Sequence, residues 1–337
     1  MGATCRFFVV ILSTIAGFLL LGPCFGDGIP GSFIFGDSLV DAGNNNYIAS
    51  FSKANFPPNG IDLIPYCQPT GRYTNGRTIA DILGQELGLE SFTPPYLAPT
   101  TVGSAVLNGV NYGSGGGGIL NETGKIFGGR INFDAQIDNF ANTRHDIISS
   151  IVSVLERKFV SPEMFVEAMI SRYRVQITRL YNLGARKIIV VNVGPIGCIP
   201  YLRDLNPSAG DNCVAFPNQL AQAFNERLKS LVLELSSSFE GTLLVYADVY
   251  RIVWDIIQNF DSYGFECSTS ACCKTAGRFG GLVPCGPASV VCPDRSKYVF
   301  WDPYHPSDAT NSLIATRLID GDSNDVFPMN VRQLARA

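Results

Sequence analysis

Residues 187–193 read Lys-Ile-Ile-Val-Val-Asn-Val, and this short apolar stretch decides the fold class. Consecutive Ile and Val residues are typical of a strand that is buried on both faces, as in a parallel sheet. Helical patterns flank it at 162–183 and 217–239, and a further apolar strand is predicted at 242–249. Strands that alternate with helices predict an α/β fold.

Two apolar segments nearer the N-terminus extend the predicted sheet. Residues 32–36 (SFIFG) end at a polar turn, and residues 109–112 lead into the Gly-rich stretch 113–118. Between this second strand and 187–193, about fifty residues (134–186) carry only helical patterns, although a parallel sheet usually places a strand there. The remaining predicted helices are 79–87, 250–258 and 308–318.

The first 26 residues have the pattern of a secretory signal peptide. Arg6 precedes fifteen uncharged residues, 7–21, and small residues follow at Gly22, Cys24 and Gly26. A membrane anchor is the alternative, but this stretch is shorter than the roughly 20 residues that span a bilayer. The sequence therefore predicts a secreted, extracellular protein. We expect one domain over residues 27–337 and no integral membrane association after removal of the leader.

Composition argues against several classes of protein. The net charge is −4, whereas nucleic-acid-binding proteins normally carry a basic excess. Apolar residues make up 46% and charged residues 16%, which argues against a disordered chain. Eight cysteines follow the predicted leader without a CxxC motif, and they indicate structural disulfides rather than a zinc site. Five of them lie in 267–292, a predicted stapled loop, and their pairing is left open.

The chain contains two histidines, His145 and His305. His145 lies on a polar helical stretch beside Arg144 and Asp146, which indicates an exposed surface residue. His305 follows Asp302 by three residues in a turn flanked by prolines. Such a turn can hold the carboxylate against one ring nitrogen and leave the other for a serine. The alternative is a loop histidine beside a capping aspartate.

Ser38 is the candidate nucleophile because it follows strand 32–36 at its carboxyl end, where α/β sheets bind ligands. The alternative is a turn serine that caps the next segment, and Asp37 is predicted to be structural. Acyl transfer also needs N–H donors for an oxyanion, and we predict those of Ser38 and Gly115. The turn 113–118 lacks the Lys-Ser/Thr ending of a P-loop, which argues against nucleotide binding.

Together these motifs resemble the plant-type GDSL esterase/lipase family of the SGNH-hydrolase superfamily. Residues 36–45 resemble its first block, 109–120 its second and 302–305 its last. Further likeness lies at 70–81, 184–200 and 295–301, so the resemblance covers nearly all of the chain after the predicted leader. It implies a flavodoxin-like three-layer α/β/α fold with a mostly parallel sheet of about five strands.

The resemblance also implies a secreted carboxylic-ester hydrolase that needs no cofactor or metal and acts on small-molecule or lipid esters. By position, Ser38 matches the nucleophile, His305 the base and Asp302 the acid that orients it. Ser38 and Gly115 match two oxyanion donors. A sequon at Asn121 is consistent with a glycosylated surface loop. An interfacial lipase would need an apolar lid or patch, which the sequence does not reveal, so we predict an esterase.

One block of the family is absent from the sequence. It is a strand that ends in Gly-x-Asn-Asp, whose Asn is a third oxyanion donor, and 321–325 (GDSND) has the wrong spacing. We predict that roughly thirty residues, with the central strand, are missing near 149–152. Strand 32–36 would then have to pair directly with 187–193. A catalytically impaired isoform, a secreted binding or structural protein, or a chain that does not fold is therefore the alternative to an active hydrolase.

Overall fold

The computed structural model describes residues 7–12, 16–21, 31–65, 67–102, 105–106, 109–145 and 162–337. Its strands are β1 (Phe7–Leu12), β2 (Ala16–Leu21), β3 (Ser32–Gly36), β4 (Gly109–Asn111), β5 (Ala185–Val191), β6 (Leu243–Ala247), β7 (Cys267–Ala271), β8 (Cys273–Lys274), β9 (Val290–Val291), β10 (Tyr298–Phe300) and β11 (Val326–Phe327). Its helices are α1 (Ile79–Glu86), α2 (Phe133–His145), α3 (Pro162–Asn182), α4 (Pro200–Leu205), α5 (Ala215–Ser238), α6 (Val249–Gln258), α7 (Asp308–Asp320) and α8 (Val331–Arg336).

Within these ranges, seven strands form one sheet in the order β11-β6-β5-β1-β2-β3-β4. Strands β3 and β4 are parallel, as are β5 and β6, and β1 is parallel to β5. Only β2 and β11 run against the others. The mostly parallel sheet predicted from the sequence is therefore confirmed.

The sheet lies between two helical layers, and alternation along its strands explains why. On β5, Ile189 and Val191 pack into one core with α1, α6, α7 and α8. Ile188 and Val190 point to the opposite face and pack with α2, α3 and α5. Successive side chains of a strand point to opposite faces, so a continuous apolar strand fills both cores. The three-layer α/β/α fold is confirmed.

Predicted and observed bounds agree closely for the buried elements. β3 has the predicted bounds, β5 begins two residues earlier than predicted, and α1 ends one residue before the predicted end. The helical pattern predicted over 134–186 is described as α2 up to His145 and as α3 from Pro162, and the predicted join at 149–152 lies outside the described residues. None of the described helices combines the length and apolarity that a bilayer crossing requires.

Direct pairing of β3 with β5 is the prediction that the structure corrects. An antiparallel pair, β1 and β2, lies between them, with β1 parallel to β5 and β2 antiparallel to β3. These strands come from the apolar stretch 7–21 that reads as the core of a leader. The reason is physical: β3 and β5 each present unpaired backbone groups along one edge, and a nearby apolar segment can satisfy both edges.

Three disulfides staple the loops of the described chain. They join Cys198 to Cys213, Cys272 to Cys292 and Cys273 to Cys285. The last two cross-link the segment 267–292, as the prediction of a stapled loop requires. Cys67 and Cys267 are free, so the expectation of structural disulfides fails for these two residues.

Candidate active site

Ser38 lies in the turn that follows β3, and a helix on the neighbouring layer fixes the position of that turn. The buried side chain of Gln136, on α2, accepts a hydrogen bond from the Gly36 N–H and donates one to the Gly36 carbonyl, both at 2.6 Å. The Gly36 carbonyl also accepts the Ser114 N–H at 2.8 Å. The end of β3 is therefore held from two sides, two residues before Ser38.

The structure brings Ser38, His305 and Asp302 together in one hydrogen-bonded line. Ser38 Oγ lies 2.7 Å from His305 Nε2. His305 Nδ1 lies 2.7 Å from Asp302 Oδ1 and 2.8 Å from Oδ2. His305 and Asp302 are buried, and Ser38 is half-buried. A carboxylate on Nδ1 leaves Nε2 as the ring nitrogen that can take a proton from the serine.

The turn that carries His305 is braced by the same carboxylate. Asp302 Oδ1 accepts the backbone N–H groups of Tyr304 at 2.8 Å and His305 at 2.9 Å. Asp302 therefore fixes both the backbone and the ring of His305. The ring of Tyr73 lies 5.3 Å from the His305 ring and closes one side of the site.

The N–H group of Gly115 does not face the cleft, although the sequence predicts it as an oxyanion donor. Its N–H donates to Oδ2 of the buried Asp41 at 2.9 Å, so in this structure it is directed at Asp41 and not at the cleft. A Cβ on Gly115 would lie 2.1 Å from the Tyr73 hydroxyl oxygen, so only glycine fits this close approach. This corrects the predicted oxyanion contact of Gly115: in the structure its N–H joins the Gly-rich turn to Asp41.

Two other backbone N–H groups are available at the site. Among the described residues, no hydrogen bond uses the N–H of Ser38 or of Gly116. Gly116 lines the cavity in front of Ser38 and has a φ of 80°, which glycine adopts readily. Asn192 also lines this cavity, but its amide donates to Tyr246 and Asp248, so it does not replace the absent Asn donor.

Side-chain amides join the first and second sequence blocks. Asn44 Nδ2 donates to the Asn111 and Gly113 carbonyls, each at 2.8 Å. Asn45 Nδ2 donates to the Gly115 carbonyl at 2.7 Å, and its Oδ1 accepts from Ser114. Asn44 and Asn45 lie in the first block of the family resemblance, which implies no role for them. Their signal was the density of Asn and Asp directly after Ser38.

Burial perturbs two carboxyl groups of this turn. Burial raises the pKa of Asp41 to about 6, although the N–H groups of Gly115, Gly43 and Asn44 lower it. Burial also raises the pKa of Asp37 well above its usual range, with Asp41 adding to the effect. Asp37 Oδ1 accepts the Leu39 N–H at 2.8 Å, which fits the structural role predicted for it.

A cavity of about 460 Å³ opens in front of Ser38. Asp302 and His305 lie on its wall, and the aromatic side chains of Phe51 and Phe127 line it as well. Much of the remaining wall is apolar, including Ile79, Ile196, Ile199, Val249, Phe300 and Ile314. A few polar groups in an otherwise apolar cleft are typical of a small-molecule site.

Asn121, the predicted glycosylation residue, is half-buried near this cavity. Its carbonyl accepts a hydrogen bond from the Arg130 guanidinium, and its Oδ1 is buried without a partner among the described residues. Thr123 and Gly124, which follow it, line the cavity. The sequon therefore lies beside the candidate site.

Comparison with known proteins agrees with the geometry. The model of the GDSL-like lipase/acylhydrolase family matches residues 33–155 and 160–318. GDSL esterase/lipase At4g16230 of Arabidopsis thaliana is 58% identical to this chain, over 92% of the chain and 92% of the relative. Two others from the same plant, GDSL esterase/lipases At3g50400 and At2g23540, are 49% and 46% identical, over 90% and 92% of the chain and 90% and 88% of each relative.

The length of the alignment with the first relative is consistent with the absence of the block that ends in Gly-x-Asn-Asp. The alignment with the first relative runs over 341 positions and includes 92% of the 337 residues here, which is about 310. About 30 of the aligned positions therefore have no residue in this chain. The family match is interrupted at 156–159, a few residues beyond the predicted join at 149–152. With matches on both sides of that interruption, the chain belongs to the GDSL-like lipase/acylhydrolase family.

Proposed function

We propose that this chain is a secreted carboxylic-ester hydrolase with Ser38 as its nucleophile. The contact between Ser38 Oγ and His305 Nε2, at 2.7 Å, carries the proposal, because it couples a hydroxyl to a base. Asp302 on the other ring nitrogen completes the set of roles that acyl transfer needs. The names of the three relatives support the same reaction class.

In the proposed reaction, Ser38 Oγ attacks the ester carbonyl carbon while its proton passes to His305 Nε2. The C–O bond to the alcohol then breaks, and the alcohol leaves with the proton from His305. Water adds to the acyl-enzyme by the same route in reverse, which releases the acid and restores Ser38. Asp302 stabilises the imidazolium throughout.

The proposed oxyanion donors are the N–H groups of Ser38 and Gly116. Both are free of other hydrogen bonds among the described residues, as a preorganised donor requires. The family resemblance implies an additional Asn donor, which the sequence lacks. Because the loss of one donor costs about 100–1000-fold in rate, we expect a slower enzyme than an intact relative.

Secretion and glycosylation are proposed on separate grounds. The leader pattern of residues 1–26 supports export, and the three disulfides fit an oxidising compartment. The sequon at Asn121 supports a glycan beside the cleft. Recovery of the protein from the culture medium tests export, and its N-terminal residue, read by mass spectrometry, shows whether residues 1–26 are removed. A mass shift that Asn121→Gln removes tests the glycan.

A fluorophosphonate probe tests the proposed nucleophile. We expect labelling of the native protein that is lost in Ser38→Ala, in His305→Ala and after heat denaturation. Ser52→Ala is the matched control, because Ser52 also lines the cavity but bonds to Tyr73 and not to His305. Labelling that survives in Ser38→Ala, or no labelling of soluble folded protein, would overturn the proposal.

A further inference from the structure

The mouth of the cavity carries an exposed apolar surface that no function described so far uses. Phe51 is 89% exposed and Ile126 is 85% exposed, and Phe127 is partly exposed beside it. We call these three residues the mouth patch. Phe51 and Ile126 are the two most exposed large apolar side chains among the described residues, and the largest apolar patch of a protein is often functional.

The backbone holds the mouth patch together. The Phe51 N–H donates to the Phe127 carbonyl at 2.8 Å, and Ser50 and Gly128 form an antiparallel bridge. The Gly129 N–H donates to the Ala49 carbonyl at 2.8 Å. Residues 49–51 and 127–129, far apart in sequence, are therefore held together by backbone hydrogen bonds, which fix the arrangement of the patch.

The patch is continuous with the candidate active site. Phe51 and Phe127 line both the patch and the cavity that contains Ser38. A Cβ on Gly116 would lie 3.0 Å from Cδ2 of Phe127, so this ring lies against the Gly-rich turn that carries a proposed oxyanion donor. An apolar substrate that reaches Ser38 from this side passes over the patch.

We propose that the mouth patch docks the protein on a lipid–water interface, so that ester lipids enter the cavity directly from the lipid. The entry of ester lipids rests on the proposed function, whereas the docking itself rests only on the exposed apolar side chains. Aromatic and aliphatic side chains insert into the boundary between headgroups and acyl chains. Beside the patch, Lys125 Nζ lies 2.6 Å from Glu122 Oε1, whereas Lys53 and Arg130 donate to backbone carbonyls. On a lipid surface without net charge, apolar contact therefore governs the docking.

A second copy of the chain fits this surface less well. Three such side chains present on the order of 400 Å² of apolar surface. A stable protein interface buries about 800 Å² on each partner, so the patch is too small to hold a dimer. A lipid surface needs no complementary shape and is satisfied by the insertion of a few side chains.

Flotation with phosphatidylcholine vesicles tests the proposal on the full chain carrying Ser38→Ala, which cannot turn over lipid by the proposed mechanism. We compare this chain with one that adds Phe51→Ser and Ile126→Ser. The matched control adds Phe216→Ser and Leu233→Ser, two exposed apolar residues of α5 that do not line the cavity. All three chains share residues 7–21, so any lipid affinity of that segment cancels.

We expect the patch variant to bind vesicles roughly tenfold more weakly or worse, and the α5 control to bind like the parent chain. Binding of the parent should persist in about 1 M NaCl, where charges are screened beyond about 3 Å. Equal binding by all three chains would overturn the proposal. So would a patch variant that differs from the parent only by a lower sedimentation mass, since the patch would then be a dimer contact. Circular dichroism melting confirms that each variant is folded.

The hydrolase proposal and the docking proposal fail separately. Hydrolysis of a soluble short-chain ester by the Ser38 chain tests the first and requires no interface. If that activity is absent while vesicle binding still depends on the patch, the docking surface stands without the enzyme. If the ester is hydrolysed while vesicle binding ignores the patch, only the docking proposal falls.

Discussion

Asp41 Oδ2 accepts the backbone N–H of Gly115 at 2.9 Å, across 74 positions of sequence. Asp41 Oδ1 accepts the N–H groups of Gly43 and Asn44, each at 2.7 Å. One buried carboxylate therefore joins the turn after Ser38 to the Gly-rich turn beside it. Together with Asn44 and Asn45, this side chain sets the position of the candidate nucleophile relative to the candidate oxyanion donors.

Asp41→Asn should change how stability depends on pH. Burial raises the pKa of Asp41 to about 6, above its ordinary value of 3.8, so the folded state takes up a proton in this range that the unfolded state does not. Stability should therefore fall as pH rises from about 4 to about 6, by up to about 3 kcal/mol from this group. Urea unfolding across that range should show a shallower fall in Asp41→Asn.

The exposed Asp261→Asn is the control and should retain the slope of the parent. Asp37 remains in both variants, and its raised pKa adds a fall of the same sign, so the slope in Asp41→Asn should decrease without vanishing. Parallel slopes in the parent and in Asp41→Asn would show that Asp41 does not titrate as its burial requires.

Gly115→Ala should destabilise the fold and reduce hydrolysis. The new Cβ would lie 2.1 Å from the Tyr73 hydroxyl and 2.6 Å from Tyr73 Cζ, which forces a shift of the Gly-rich turn or the ring. Overpacking of this kind costs about 1–3 kcal/mol. Thermal unfolding and ester hydrolysis measure the two effects, and Gly286→Ala, whose nearest neighbour is 4.0 Å away, should be close to neutral.

Tyr73→Phe should partly rescue Gly115→Ala, because it removes the closest of the clashing atoms. The double-mutant cycle should then give a favourable coupling of about 0.5–3 kcal/mol. Strictly additive effects would mean that Tyr73 is not what restricts residue 115 to glycine.

Gln136→Leu should weaken the support of the nucleophile turn. It removes the acceptor of the buried Gly36 N–H while it keeps a side chain of similar size. A buried donor left without a partner costs about 1–3 kcal/mol, and displacement of the turn should lower kcat more than it raises KM. Denaturant unfolding and steady-state kinetics measure these effects. Asn142→Leu, at an exposed position of the same helix, should leave both close to the parent, and equal losses in the two variants would refute a role for the Gln136 contact.

A chain of residues 27–337 should be markedly less stable than the full chain. Without β1 and β2, the facing edges of β3 and β5 lose their hydrogen-bond partners, each orphaned group costing about 1–3 kcal/mol. Total stability is only about 5–15 kcal/mol, so the shortened chain should melt much lower or aggregate.

Proline in the full chain gives a matched comparison for the same prediction. Val9→Pro places a residue without an N–H in β1, where position 9 pairs with Leu19 and Ile188. Thr4→Pro lies before β1 and should have a small effect. If residues 27–337 melt at the temperature of the full chain, the hairpin contributes nothing to the sheet.

The buried strands and the line of Ser38, His305 and Asp302 could be predicted because their signals are local. The bounds of β3 follow from an apolar run that ends at a polar turn, and Asp302 lies within one turn of His305. The only long-range step is the approach of Ser38 to His305. It could be predicted because α/β folds form their sites at the carboxyl ends of parallel strands.

The predicted oxyanion contact of Gly115, and the mouth patch that the sequence does not reveal, depend on contacts that no local pattern encodes. The Gly115 N–H is directed by a carboxylate 74 positions away, and the mouth patch arises only when residues near 50 and near 128 pair. Residues 7–21 are apolar enough to be a leader or a pair of strands. A pair of strands forms only when the edges of two other strands, here β3 and β5, lack partners and lie close enough to pair with it.

Residues 7–21 form β1 and β2 in the sheet, but they are also the core of the predicted leader, so export with cleavage and completion of the sheet compete for the same segment. Signal peptidase removes a leader that is still extended and accessible, and a strand pair inside a finished sheet is neither. The disulfide between Cys272 and Cys292 needs an oxidising lumen, whereas the hairpin needs an uncut N-terminus. The two coexist only in a molecule that is translocated without being processed. The order of cleavage and folding would then decide whether β1 and β2 are retained between β3 and β5.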